Sequence, residues 1–272
     1  MIEYEQITER ATEKELTSYW NAAVGLQEVD GLKPSEYLKE LAQKNVEGSL
    51  DNRQIEELLY AEYENETPEQ KLHRTKECDI VSNRIVELLQ MDGLQLNMGT
   101  LQSIHRYLFK GIYENAGEFR KYNISKKEPI LGGRTVKYAN YQMIEEMLRY
   151  DFGQEMEQSY SEMTPEQMTK RIAKFSSSIW QVHPFSEGNT RTTAVFMERY
   201  LNQVGFHVNN DLFKEYSQYF RNALVRSNYA DYPAGIVNTY QHLEKFYENL
   251  LFEGTNKLRS RDLVIEKLVI ER

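Results

Sequence analysis

The stretch WQVHPFSEGNTRTTAV, Trp180 to Val195, places His183, Glu187, Asn189 and Arg191 within nine residues, with Gly188 among them. Each of these types has chemistry open to it. A histidine with an ordinary pKa near ~6.5 can take a proton from a hydroxyl. A Gly/Asn turn feeding a helix aims successive backbone N–H groups at one point, and the helix dipole adds positive potential there. Gly188, Asn189 and Thr190 are the candidates for that anion-binding turn. Arg191 offers a planar fork for a phosphate oxygen. Glu187 suits an anion site only if a divalent cation lies between it and the phosphates, and Mg²⁺ is typically held by a carboxylate plus phosphate oxygens and water. Base, metal carboxylate, anion nest and arginine together fit attack by a hydroxyl on a nucleotide phosphate. The plainer alternative is a polar interhelical loop whose histidine caps the preceding helix.

The elements that must hold this loop are helices. Pro184 forbids helical continuation, so one helix ends near Val182 and the next begins near Thr190 or Arg191. Apolar residues recur at three and four over 54–66, 78–91, 101–114, 165–182, 191–204 and 213–227. TPEQ at Thr164, and again at Thr67, reads as a helix start: a threonine N-cap, proline in the first position and an acid in the first turn. One segment breaks the pattern. KYNISKKEPILGGRTVKYANY, 121–141, carries β-branched and aromatic runs around Gly132 and Gly133, the signal of a hairpin with a tight turn. A lone hairpin is marginal, so it must pack on something or pair with an extended peptide along its edge. The expected class is all-α with one β-hairpin.

Composition narrows the partners. The 272-residue chain carries 42 acidic against 33 basic side chains, a net charge of −9, which argues against duplex nucleic acid as the main partner. Its single cysteine, Cys78, excludes an intrachain disulfide and reads as a buried spectator thiol. MIEYEQITERATEK lacks the apolar core of a secretory signal, and no apolar run reaches membrane-spanning length. A cytoplasmic protein with no DNA or membrane partner is expected. His105 reads as a satisfied core or boundary residue. His73, His207 and His242 lack metal-ligand spacing. NKLRSRDLVIEK, 256–267, reads as a solvated helix.

HPFSEGNTR resembles the Fic family signature, His-Pro-Phe-x-(Asp/Glu)-Gly-Asn-Gly-Arg-x-x-Arg, matching it at His183, Pro184, Phe185, Glu187, Gly188, Asn189 and Arg191. Upstream, IHRYLFKGIYENAGEFRKYNISK is similar to the family segment leading into its flap. Downstream, YFRNALVRS, which contains Asn222, is similar to the stretch lining the nucleobase pocket. The resemblance spans about Leu96 to Ser227 and implies an N-terminal helical region at 1–95, a Fic core at 96–230 and a C-terminal helical extension at 231–272. The accompanying N-terminal helices are like those of many bacterial members.

The resemblance implies a mainly helical Fic fold and a protein nucleotidyltransferase. Such an enzyme moves AMP from ATP to a Tyr, Thr or Ser hydroxyl of a target protein, with Mg²⁺ as cofactor and pyrophosphate leaving. His183 would be the base and Phe185 the loop's anchor in the core. Glu187 would hold the metal. Gly188, Asn189, Thr190, Arg191 and Asn222 would bind the nucleotide and its phosphates. The flap would be Ile130, Leu131, Gly132, Gly133, Arg134, Thr135 and Val136, pairing with the target segment by main-chain hydrogen bonds. Self-modification of exposed tyrosines and a homo-oligomer are further expectations.

Two departures stand out. Thr190 replaces the second glycine, which is harmless if its φ is negative. Ala194 replaces the second arginine, which commonly binds the terminal phosphate of ATP. The family's inhibitory pattern, (Ser/Thr)-x-x-x-Glu-(Gly/Asn), is absent at Glu47, Glu64, Glu114, Glu248 and Glu253. The alternatives carried forward are a Fic-fold phosphotransferase, a transferase using another nucleotide, and a non-catalytic protein-binding module.

Overall fold

The structure is a computed structural model that describes residues 11–265. The first ten residues of the leader reading lie outside it. The helices are α1 (Glu13–Gly25), α2 (Glu36–Val46), α3 (Asn52–Glu62), α4 (Pro68–His73), α5 (Thr75–Leu89), α6 (Met98–Phe109), α7 (Ile144–Met156), α8 (Pro165–Val182), α9 (Asn189–Gln203), α10 (Asp211–Ser227) and α11 (Gln241–Leu251). Their starts are chemically marked. Thr164 caps α8 through the Gln167 N–H while the Gln167 side chain returns to the Thr164 backbone, with Pro165 in the first turn. Thr67 does the same for α4.

α9 lies at the centre, packed by α5, α6, α8 and the 3₁₀ turn Leu26–Asp30, and is buried along nearly its whole length. α1 packs on α5 and α10, and α10 is also covered by α8 and α11. One buried apolar cluster runs through these helices from Leu16 to Leu263. Cys78 is fully buried, and burial pushes its thiol well above the ordinary range, so it stays an inert thiol. No described helix is long and apolar enough to cross a membrane.

Three expectations need correction. The helix predicted over 101–114 stops at Phe109, because Lys110 turns extended and Gly111 takes a φ of 76°. That turn delivers Tyr113 to Glu77 of α5.

The predicted β-hairpin is not a hairpin of strands. The described residues hold no strand, only an isolated bridge between Asp231 and Ile236. Glu128 is drawn fully inside by Arg221 of α10, 2.9 Å away, and Pro129 has no N–H for a ladder. The chain therefore makes a 3₁₀ turn at Pro129–Leu131, followed by Gly132 and Gly133 at φ 62° and 87°. The Glu128 N–H closes the loop on the Arg134 carbonyl at 2.8 Å.

The segment predicted as a solvated helix over 256–267 is, as far as residue 265, irregular apart from a 3₁₀ turn at Ser260–Leu263, with Leu258 and Leu263 buried. Leu258 and Leu263 turn inward to dock while Val264 stays exposed, so no continuous helical face forms; residues 266 and 267 lie outside the described residues.

Candidate functional site

α8 ends where Pro184 requires it to. His183 takes a left-handed conformation, φ 47° and ψ 59°, and its N–H returns to the Trp180 carbonyl at 3.0 Å. The imidazole Nδ1 lies 3.1 Å from that same carbonyl. A carbonyl only accepts, so the neutral ring carries its proton on Nδ1 and keeps a lone pair on Nε2. The ring packs 4.3 Å from Tyr138 and 5.0 Å from Trp180. Burial, reinforced by the charges of Lys126, Arg221 and Arg120, pushes its pKa down to about 3. The shift favours the neutral ring.

Arg120 holds this bend and was not singled out from the sequence. Its Nε donates to the His183 carbonyl at 2.8 Å, and its two terminal nitrogens reach the carbonyls of Val182, Tyr122 and Ala139. Its own N–H donates to the Pro184 carbonyl at 2.8 Å. One buried guanidinium thus satisfies the exposed end of α8 and ties it to the flap's far end. The signal available in the sequence was a helix C-terminus cut short by proline, with no cation of its own in the last turn.

The loop after Pro184 is closed by Asn189. Its Oδ1 accepts the Phe185 N–H at 2.9 Å and its Nδ2 donates to the Phe185 carbonyl at 2.8 Å. Phe185 stacks on His105, centroids 3.8 Å apart and planes 12° apart. His105 Nδ1 accepts the Gly117 N–H at 2.8 Å, so its Nε2 is the donor that meets the Glu187 carbonyl at 3.1 Å. Burial lowers its pKa to about 4. It is the satisfied core histidine expected, and it also fixes the loop backbone.

Gly188 caps α9 at φ 70°, and a Cβ there would lie 2.4 Å from the Phe109 ring. From Gly188 onward the first-turn N–H groups of α9 face the loop, with the Thr192 N–H the first to close on the Gly188 carbonyl. Thr190 lies within α9 outside the positive-φ set, and its hydroxyl accepts the Trp180 indole N–H at 3.0 Å. Glu187 is exposed, and its carboxylate makes no ion pair or hydrogen bond among the described residues.

The remaining predicted residues stand differently. Arg191 is fully buried and turned into the core. Its terminal nitrogens donate to Gln27 at 2.9 Å and Glu77 at 2.8 Å, and its Nε lies 2.9 Å from Asp30, at an angle too bent for a hydrogen bond. Burial works against its charge, but Asp30, Tyr113 and Glu77 outweigh that and raise its pKa. The phosphate fork expected of Arg191 is therefore occupied by carboxylates, because a guanidinium beneath α9 had to be neutralised before it could be buried. Asn222 is buried on α10 and takes the Gln218 side chain at 3.3 Å, with no hydrogen bond to the loop.

In the flap, Ile130, Leu131 and Val136 are buried, whereas Gly132, Gly133 and Thr135 are exposed and Arg134 is half-buried. The flap reaches the loop through Tyr138, which meets both the His183 ring and Glu128.

The Fic/DOC family model matches residues 95–201, which contain this whole loop and the flap. Protein adenylyltransferase VbhT of Bartonella schoenbuchensis is 27% identical over 118 residues, covering 43% of this chain and 23% of that protein. This chain thus spans under a quarter of that relative's length. The BepC protein of Bartonella tribocorum, a VirB-translocated effector with bound AMPPNP, superposes with a TM-score of 0.54 at 17% identity, over 69% of this chain and 89% of its own. The N-terminal FIC domain of the Bep8 protein of Bartonella sp. 1-1C gives 0.53 at 18%, over 69% and 88%. At these identities the two structures establish the fold.

Proposed function

We propose, from the premise that residues 95–201 belong to the Fic/DOC family, that this chain is a protein nucleotidyltransferase moving AMP from ATP to a Tyr, Thr or Ser hydroxyl of a target protein. The observation that carries the reading is His183: a neutral imidazole with its tautomer set by the Trp180 carbonyl, beside the open N-terminus of α9. Protein adenylyltransferase VbhT is named for this activity, and BepC was solved with AMPPNP bound.

In the reaction, His183 Nε2 takes the hydroxyl proton as the target oxygen attacks the α-phosphorus. The bond from that phosphorus to the bridging oxygen breaks, and pyrophosphate departs. The first-turn N–H groups from Gly188 to Arg191 bind phosphate oxygens. Glu187 fits a Mg²⁺ ligand, since it is an exposed carboxylate free of protein cations at the mouth of an anion site. Bound there with the phosphates, the ion would neutralise charge developing on the leaving group.

A second reading is favoured by two arginine facts. Arg191 is committed to Asp30 and Glu77, and position 194 holds a fully buried alanine. A terminal phosphate then lacks its usual guanidinium, which supports transfer from a different nucleotide or transfer of a different phosphate.

The test is label transfer from ATP, GTP, CTP and UTP carrying α- or γ-label, with Mg²⁺, using the protein itself and lysate as acceptors. Transfer of α-label by wild type, falling about 10²–10⁴-fold in His183→Ala, is expected. Transfer of γ-label alone would replace nucleotidylation with phosphotransfer.

A further inference from the structure

The flap is not bare. The segment after α11 runs without helix or strand from Gly254, makes the 3₁₀ turn Ser260–Leu263, and leaves it with Val264 in an extended conformation at φ −71° and ψ 129°. Ile265 then donates its backbone N–H to the Ile130 carbonyl of the flap at 2.7 Å. This contact is anchored on both sides. Leu263 is 1% exposed and its turn packs on α10, while the flap is fastened to the same helix through Glu128 and Arg221. Further back, Asn249 of α11 grips Asn256, accepting its N–H at 2.9 Å and donating to its carbonyl at 2.9 Å. Occupant and flap are thus carried by one helix, and their meeting at Ile130 is built in.

We propose that the segment 264–265 occupies in cis the main-chain edge of the flap on which an extended target segment would pair, so that this chain gates its own target site. The proposal rests on the protein-transfer reading for its consequence, but the occupancy itself does not. Main-chain pairing is independent of side-chain identity, so a segment of this chain and a segment of a target compete for the same carbonyl. The device differs from a glutamate presented to a motif arginine. It blocks the acceptor and leaves the nucleotide's path untouched.

Ile265→Pro tests it with little collateral change. Proline removes the one N–H involved, and Val264 already has the extended conformation that a residue before proline prefers. Ile265→Ala, which keeps the N–H, is the control. Protection of the Ile265 amide, the donor of the bond, reports occupancy in wild type and Ile265→Ala. Hydrogen exchange of the flap amides over 128–136 reports what the bond's loss does to the flap, with α3 amides as the internal standard for overall stability. Initial rates of α-labelled nucleotide transfer to lysate protein report the consequence.

The expected result is faster flap exchange in Ile265→Pro alone, with α3 unchanged, and a roughly three- to tenfold rise in transfer rate, the size of one main-chain hydrogen bond. An Ile265 amide that exchanges without protection in wild type would overturn the occupancy. Faster flap exchange with equal transfer rates would overturn the gating. Faster flap exchange with no transfer by any variant would leave the occupancy standing and sink nucleotidyl transfer instead.

Discussion

At the scale of single residues, the site works by fixing protonation states with burial and carbonyls. His183 is kept neutral by its half-buried setting and by three nearby cations, and its tautomer follows from one acceptor. With its pKa depressed to about 3, the base form persists on acidification. The acid limb of kcat/KM should therefore show no inflection near ~6.5, the ordinary histidine value. A pH–rate profile of the free enzyme that bends there would show the ring to be solvated in use. Arg120 is a positioning residue of the same site. Arg120→Met strips donors from the carbonyls around the α8 terminus and should cost about 2–4 kcal/mol in urea unfolding. Its kcat should fall about 10–100-fold with nucleotide KM nearly unchanged, since His183 loses its orientation while the α9 terminus is intact. A change confined to KM would put Arg120 in ligand binding.

At the scale of elements, the loop depends on how closely α6 and α9 approach. Gly188 both takes a left-handed φ of 70° and lies against Phe109, where a Cβ would come within 2.4 Å of the ring. Gly188→Ala should lower stability by about 2–5 kcal/mol, combining left-handed strain with overpacking. Equilibrium denaturation checks this, and a loss under 1 kcal/mol would mean that the ring yields freely. The flap shows the converse case. Its glycines adopt the positive φ their sequence suggests, yet no ladder forms. The buried pair of Glu128 with Arg221 and the imino nitrogen of Pro129 dictate a closed turn there.

At the scale of the whole molecule, α9 is a buried helix that carries charge. Arg191 is neutralised by Asp30 and Glu77 from the N-terminal half, which makes those early helices part of the site's foundation. Glu198, about two turns further along α9, is fully buried with neither oxygen hydrogen-bonded, and burial alone raises its pKa to about 8. Its ordinary value is 4.5, so between those limits the folded state keeps a proton that the unfolded state releases. Stability must then fall as pH rises from about 5 to 8 and level off above that. Glu198→Gln should flatten this slope, gaining on the order of a few kcal/mol over wild type at pH 9 and almost nothing at pH 5. Parallel pH series of thermal unfolding decide it; identical slopes would mean that Glu198 is solvated.

The sequence by itself determined the local rules. The 3.6-residue periodicity and the capping residues marked most helices, Pro184 fixed the end of α8, and the density of polar groups around Gly188 located the loop. These signals are short-range and need no partner. Only the tertiary structure decided where long side chains go. Arg191 and Asn189 lie two residues apart in the first turn of α9 and looked equally suited to a ligand, but one is turned to carboxylates far back in the chain and the other to Phe185. Arg120 carries no signal of its own in the sequence, and only folding brings four carbonyls around it. The docking of Ile265 on Ile130 was equally invisible. A main-chain hydrogen bond between segments more than a hundred residues apart leaves no pattern in either one, because every residue but proline can make it.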